Sequence, residues 1–163
     1  MNLTPIEPEV VIEEVIVYDT IRSQQPIRLN NILYDFNKAE IRPDAVRDLE
    51  ALLGYMTSYP DLVIELGSHT DAIGKDGANL RLSQKRADGA RKWLTEKGIA
   101  QDRIRAVGYG ESVPIAENSF ADGADNPEGR QMNRRTEFKI ISGPQFITSQ
   151  RIEKRVVKKE IKK

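Results

Sequence analysis

Cysteine is absent from all 163 residues, which removes disulfides, thiolate metal sites and cysteine nucleophiles at once and leaves the redox compartment unmarked. Histidine occurs once, as His69, too few to build a histidine-based zinc site. Net charge is lacking too. Lysine plus arginine and aspartate plus glutamate number 25 each, and the pI near 6.6 supplies no general attraction to nucleic acid or anionic lipid. No apolar run approaches the roughly 20 residues that cross a bilayer. The opening "MNLTPIEPEV" has neither the basic start nor the apolar middle of a signal peptide, so the expectation is an internal protein or a mature piece of an exported one. The length suits one domain with a substantial core.

Charge is unevenly placed. "EPEVVIEEVIVYD" carries only acids and "RIEKRVVKKEIKK" mostly bases, so the two ends are expected to attract each other, or else to be a solvated leader and a frayed tail. The chain divides on this reading into an acidic extended leader over 1–26, a possible extra strand or linker remnant, a domain over 27–143, and a basic tail over 144–163. Within the domain, "PIRLNNILYDF" reads as a strand after a turn at "RSQQP". A helix follows from Pro43 and Asp44 through Val46, Leu49, Leu53 and Met56 to a stop at Pro60. "DLVIELGS" is a strand with Leu62, Ile64 and Leu66 on one side. A second helix spans about Leu80 to Lys97, with Gly98 as its left-handed stop. "DRIRAVGYG" is a strand, residues 111–133 read as a long polar loop, and "RRTEFKII" closes the core with Thr136, Phe138 and Ile140 on one side. Two helical crossovers favour parallel neighbours and the last strand can return antiparallel, so the expected class is α+β, two main helices packed on one face of a mixed β-sheet.

The second helix contains an anomaly. On a wheel at about 100° per residue, Leu80, Leu82, Ala87, Ala90, Trp93 and Leu94 share one half. Gln84, Lys85, Asp88, Lys92, Thr95 and Glu96 form a solvent face. Arg86 falls inside the apolar half, with Asn79 and Ser83 beside it. A buried guanidinium keeps its charge and needs acceptors, and breaking such a pairing costs about 3–5 kcal/mol. Asp71, in the loop that enters the helix, is the nearest candidate. The plain reading is an internal Asp71–Arg86 ion pair fastening loop to helix, with Asn79 as N-cap. The sharper reading holds the two charges slightly apart and exposed in a cleft, Asp71 for an ammonium and Arg86 for a carboxylate, a clasp for a zwitterion.

"YDFNKAEIRPDA", "GSHTDAIG", "NLRLSQKRA" and "MNRRTEF", in this order, resemble the peptidoglycan-binding module shared by the carboxy-terminal domain of OmpA, the Pal lipoprotein and the stator protein MotB. The resemblance covers roughly Asn31 to Ile141 and implies a noncovalent, nonenzymatic anchor, without cofactor, that grips the meso-diaminopimelate of the peptidoglycan stem peptide. It implies ligand roles for Asp71 and Arg86, and for Asn37 and Asn79 at the two strand-to-helix turns. Thr70, Ile73 and Gly74 belong to the same binding loop, whose N–H groups are candidate anion donors near a helix start. Arg135, of the Arg134–Arg135 pair, is the arginine assigned to the cleft. His69, Tyr34 and Asp35 are expected to shape the turns without touching ligand. The implied location is the periplasm of a diderm bacterium, at the outer membrane or cell wall, with no nucleic-acid partner and no membrane insertion of its own. Serine at position 68 departs from the family's glycine before the histidine, and the 116–130 loop is longer than in short members, by default a tolerated insertion. Its Asp122, Asp125 and Asn126 lack the full pattern of a calcium loop.

Two other functions compete. A hydrolase using Ser68, His69 and Asp71 is disfavoured because adjacent strand residues point to opposite faces. An assembly module binding other proteins of an envelope or secretion complex through the long loop and charged termini is compatible with wall binding.

Overall fold

The computed structural model describes residues 9–22, 25–29 and 46–159. The chain forms two compact units, one over Ile21–Ile147 and the other from Met1–Thr20 with Thr148–Lys163. In the first, four strands stand in the order β2-β5-β3-β4: β2 (Ile27–Leu29), β3 (Val63–His69), β4 (Ile104–Gly110) and β5 (Thr136–Ser142). β3 runs parallel to β4 and antiparallel to β5, and β5 runs antiparallel to β2, so the sheet is mixed as expected.

Helices α1 (Val46–Ser58) and α2 (Asp76–Glu96) bury their apolar sides against one sheet face. Alternation selects that face: Leu62, Ile64 and Leu66 from the β3 segment, with Phe138 and Ile140 from β5, are at most 2% exposed. They meet Leu49, Leu52 and Met56 of α1 and Ala90 and Leu94 of α2 in one core. Arg103 fastens the end of α1, because its guanidinium donates to the carbonyls of Met56, Tyr59 and Leu62 at 2.7 to 3.0 Å. Pro43 and Asp44, expected to open the first helix, lie outside the described residues.

Several expectations need correction. α2 starts at Asp76, one turn before Leu80, with Lys75 as an N-cap that makes no side-chain bond, so Asn79 is an interior helix residue rather than a cap. Leu80 is 52% exposed instead of buried. Gln84, expected in solvent, accepts from Gly108 N–H at 2.9 Å and donates to the Ala106 carbonyl at 3.2 Å. β4 is an edge strand, and this amide pairs with main-chain groups that would otherwise remain open. Gly98 does end α2 in the left-handed region, at φ 99°.

The polar stretch read wholly as loop contains α3 (Pro127–Asn133), capped by the Asn126 side chain on Gly129 N–H at 3.0 Å. In the second unit, β1 (Glu9–Arg22) and β6 (Phe146–Lys159) form a two-stranded sheet, and Lys154 Nζ lies 3.8 Å from Glu14 Oε1. The basic C-terminal segment is therefore a strand over most of its length.

Candidate functional site

The end of β3 is gripped from both sides. His69 N–H donates to the Arg135 carbonyl and Thr70 N–H to the Gly110 carbonyl, each at 2.8 Å. A register shift after Ser68 sets His69 opposite Gly110, and the chain then turns into the Asp71–Lys75 loop. Asp71 organises that loop. Its Oδ1 accepts from Ile73 N–H at 3.1 Å, its carbonyl accepts from Asn79 Nδ2 at 3.3 Å, and Gly74 adopts φ 109°. Its Oδ2 contacts Arg134 Nη1, while Arg130 Nε lies 3.9 Å away. Asn79 also donates to Glu111 Oε2 at 2.5 Å.

The helical wheel located the inward residues correctly: Asn79, Ser83 and Arg86 are all buried on α2. Ser83 accepts from Gly110 N–H at 2.8 Å and Arg86 is 1% exposed, engaged rather than left without a partner. The expectation of two charges open in a cleft is not what is seen. Asp71 is only 5% exposed, and its ion-pair partners among the described residues are Arg134 and Arg130. The polypeptide supplies its own cations to this carboxylate, which satisfies a group that would be costly to bury alone.

Thr70 is buried, Ile73 is 48% exposed, and Asn37, Tyr34 and Asp35 lie outside the described residues. Of the arginine pair, Arg134 touches Asp71. Arg135, the one assigned from sequence, donates to Glu137 Oε2 at 3.0 Å and to the Val113 carbonyl at 3.1 Å. Neighbouring residues at a strand start point in opposite directions, and sequence alone does not say which faces the loop.

Arg130, Asn118 and Asn133 were missed. Asn118 Oδ1 accepts from Ala72 N–H at 3.3 Å and from Asn133 Nδ2 at 3.0 Å, while Asn133 Oδ1 accepts from Ile115 N–H at 2.8 Å. The 111–126 segment is thereby tied to the Asp71 loop. Asp122 caps its own turn on Ala124 N–H at 2.9 Å, and Asp125 pairs with Arg130. No metal-binding group of three ligands occurs among the described residues.

The opposite face of the sheet carries a second polar cluster. The rings of His69 and Tyr109 stack at 5.1 Å, His69 Nε2 lies 3.3 Å from Glu137 Oε1, and the Tyr109 hydroxyl donates to Glu65 Oε1 at 2.5 Å. Burial pushes the Glu65 carboxyl up, but the Tyr109 hydrogen bond, Lys139 and Arg105 outweigh it, leaving it below its ordinary range. Burial likewise raises Glu137 less than His69 and Arg135 lower it. The Glu65 hydrogen bond, then burial, push the Tyr109 phenol up to about 12. Ser68 faces the other way, 2.7 Å from Thr136 Oγ1, so a Ser68–His69 catalytic pair does not form.

Residues 33–127 match the OmpA family. The chain is 42% identical over 110 residues to the photosystem I P700 chlorophyll a apoprotein A2 of Gloeobacter violaceus, covering 68% of this chain and 13% of that protein. It is 40% identical over 110 residues to outer membrane porin F of Pseudomonas fluorescens, covering 68% of this chain and 32% of the porin. The chain thus spans about a third or less of these relatives' lengths. Among solved structures, the peptidoglycan-associated lipoprotein from Burkholderia pseudomallei superposes with a TM-score of 0.58 at 24% identity, covering 72% of this chain and 90% of that one. At that identity the likeness speaks for the fold alone.

Proposed function

Because the chain belongs to the OmpA family, we propose that it is a noncovalent anchor to the bacterial cell wall that binds peptidoglycan through the meso-diaminopimelate of the stem peptide. The observation that carries this reading is Asp71, a carboxylate held in a tight loop at the junction of β3, α2 and the 111–126 segment, with guanidinium groups against it. The distal end of diaminopimelate bears an ammonium and a carboxylate on one carbon. Its ammonium would take Asp71 and its carboxylate would take a guanidinium, exchanging an internal ion pair for two intermolecular ones without stranding any charge. Arg134, about a quarter exposed, can release Asp71 with little rearrangement. Arg86 is the second cation of the reading, and its burial shields it from water and strengthens its field. Asn79, Thr70, Ile73 and Gly74 line or shape the same loop on this reading, Arg135 supports it from the far side of β5, and Asn37 is a further ligand-binding residue that the family resemblance implies.

Lysine-type stems lack the distal carboxylate. A charge-assisted hydrogen bond is worth about 1.5–3 kcal/mol, which sets the expected discrimination. The place of action is then the periplasm, and the module would tether a larger envelope protein to the wall. Outer membrane porin F, 40% identical over 110 residues, is an envelope protein by name. No described helix is long and apolar enough to cross a membrane. Sedimentation with diaminopimelate-type and lysine-type sacculi tests the proposal. The native chain should co-sediment with the former and Asp71→Ala and Arg86→Ala should not. Equal retention of all three would refute it.

One observation favours an added assembly role: Val113, Ile115, Phe120 and Met132 are 43 to 54% exposed around the 111–126 segment and α3. Pull-down of envelope proteins by the full chain, with and without residues 119–126, tests it, and unchanged capture would count against it.

A further inference from the structure

The sheet face turned away from the helices carries a cavity of about 250 Å³ that the wall-binding reading leaves unused. We propose that it binds one neutral sugar ring, recognised by Tyr109, His69, Glu65, Glu137 and Lys139. Strand alternation builds the place. Glu65, Gly67 and His69 of β3 and Glu137 and Lys139 of β5 all project to this side, opposite Leu66 and Phe138. Gly67 lets the Tyr109 ring lie close over β3 beside the cavity, since a Cβ there would stand 3.0 Å from Tyr109 Cε2 and 3.6 Å from His69 Nε2.

Charge selects the class of ligand. Glu65 has Lys139 Nζ at 3.2 Å and Arg105 Nε at 3.6 Å, and Glu137 has Arg135 Nε at 3.0 Å. Each carboxylate already has a cation, so a cationic ligand gains no free charge, and an anion would meet two acids. A neutral polyhydroxyl ring fits both constraints. Each carboxylate accepts about four hydrogen bonds and has capacity left for hydroxyls. Lys139 is a donor 35% exposed, and Pro26 and Val113 with the Tyr109 ring give an apolar wall for the C–H side of a pyranose. The histidine ring beneath Tyr109 is 2% exposed, and its Nδ1 has no partner among the described residues. The volume is below the roughly 300 Å³ at which drug-sized pockets begin, which suits a single ring.

The choice of an amino sugar as probe rests on the wall-binding reading. A peptide-free β-1,4-linked N-acetylglucosamine tetramer is titrated into the isotope-labelled full chain, in parallel with a sugar-free diaminopimelate tripeptide. The sugar should move the Gly67 amide and the Tyr109 and His69 ring signals, and the tripeptide the Asp71–Gly74 amides. Gly67→Val, pushing the Tyr109 ring out of its place in the wall, should weaken the sugar at least about tenfold, or about 1.4 kcal/mol, and leave the tripeptide unchanged. Lys139→Ala, at a partly exposed position, should weaken it several-fold if the valine variant does not fold. Absence of shifts at millimolar sugar, shifts confined to other surfaces, or native affinity in a folded Gly67→Val or in Lys139→Ala would overturn the sugar site. Sugar binding at this face with no tripeptide binding would instead overturn the diaminopimelate reading alone.

Discussion

Arg86 is the residue whose chemistry conflicts most with its surroundings, a guanidinium 1% exposed on a helix face shared with Ala87, Ala90 and Leu94. Its removal should therefore register first as lost stability. Arg86→Ala abandons the groups that compensate a buried charge and should cost about 3–5 kcal/mol in chemical denaturation. Asp71→Asn separates binding from folding more cleanly. Asparagine still accepts from Ile73 N–H in the same turn and loses only the charge facing Arg134 and Arg130, so its stability loss should be distinctly smaller. A denaturation midpoint for Asp71→Asn as low as that of Arg86→Ala would mean the carboxylate is chiefly structural. The anomaly at Arg86 was legible from helical spacing, because a 3.6-residue period and one charged residue suffice to expose it. The Arg134 and Arg130 contacts were not, because they join residues far apart in sequence and depend on how α3 enters β5.

Among the elements, α2 and β4 approach so closely at Gly108 that no side chain fits on that residue. A Cβ on Gly108 would stand 2.2 Å from Gln84 N and 2.6 Å from its Cα. Gly108→Ala must push helix from strand, and overpacking of this kind costs about 1–3 kcal/mol. Gly54, exposed within α1, has nothing within 4 Å of an added Cβ, so Gly54→Ala should gain about 0.5–1 kcal/mol from helix propensity. Thermal unfolding of the two alanine variants should shift in opposite directions, and a common direction would contradict the packing described. Strands β3 to β5 and both long helices were readable because their apolar periods are strong. α3 was hidden in a run of short polar residues, where only Pro127 and Asn126 signal a helix start. The role of Gln84 was hidden because edge-strand demand is a property of the sheet and not of the helix sequence.

For the whole molecule, charge neutrality leaves stability to local pairs. Glu65 and Glu137 sit below their ordinary range when folded, so their stabilising effect is complete above the unfolded value near 4.5 and is lost as pH falls through the folded values. Tyr109 has the opposite sign, contributing fully below pH 10 and losing its effect as pH rises through about 12. Denaturant midpoints should thus decline below pH 4.5, less steeply in Glu65→Gln, and in ultraviolet titration one tyrosine should ionise late, near 12. A midpoint flat down to pH 3 or so would exclude the carboxylate contribution. The central claim, that opposite charges around Asp71 receive a zwitterion, is tested most directly by calorimetric titration of the native chain with two stem tripeptides differing only in diaminopimelate or lysine. The diaminopimelate form should bind about 10- to 150-fold more tightly, with the preference lost in Asp71→Asn. Equal affinity for both peptides, or an unchanged preference in Asp71→Asn, would contradict the account.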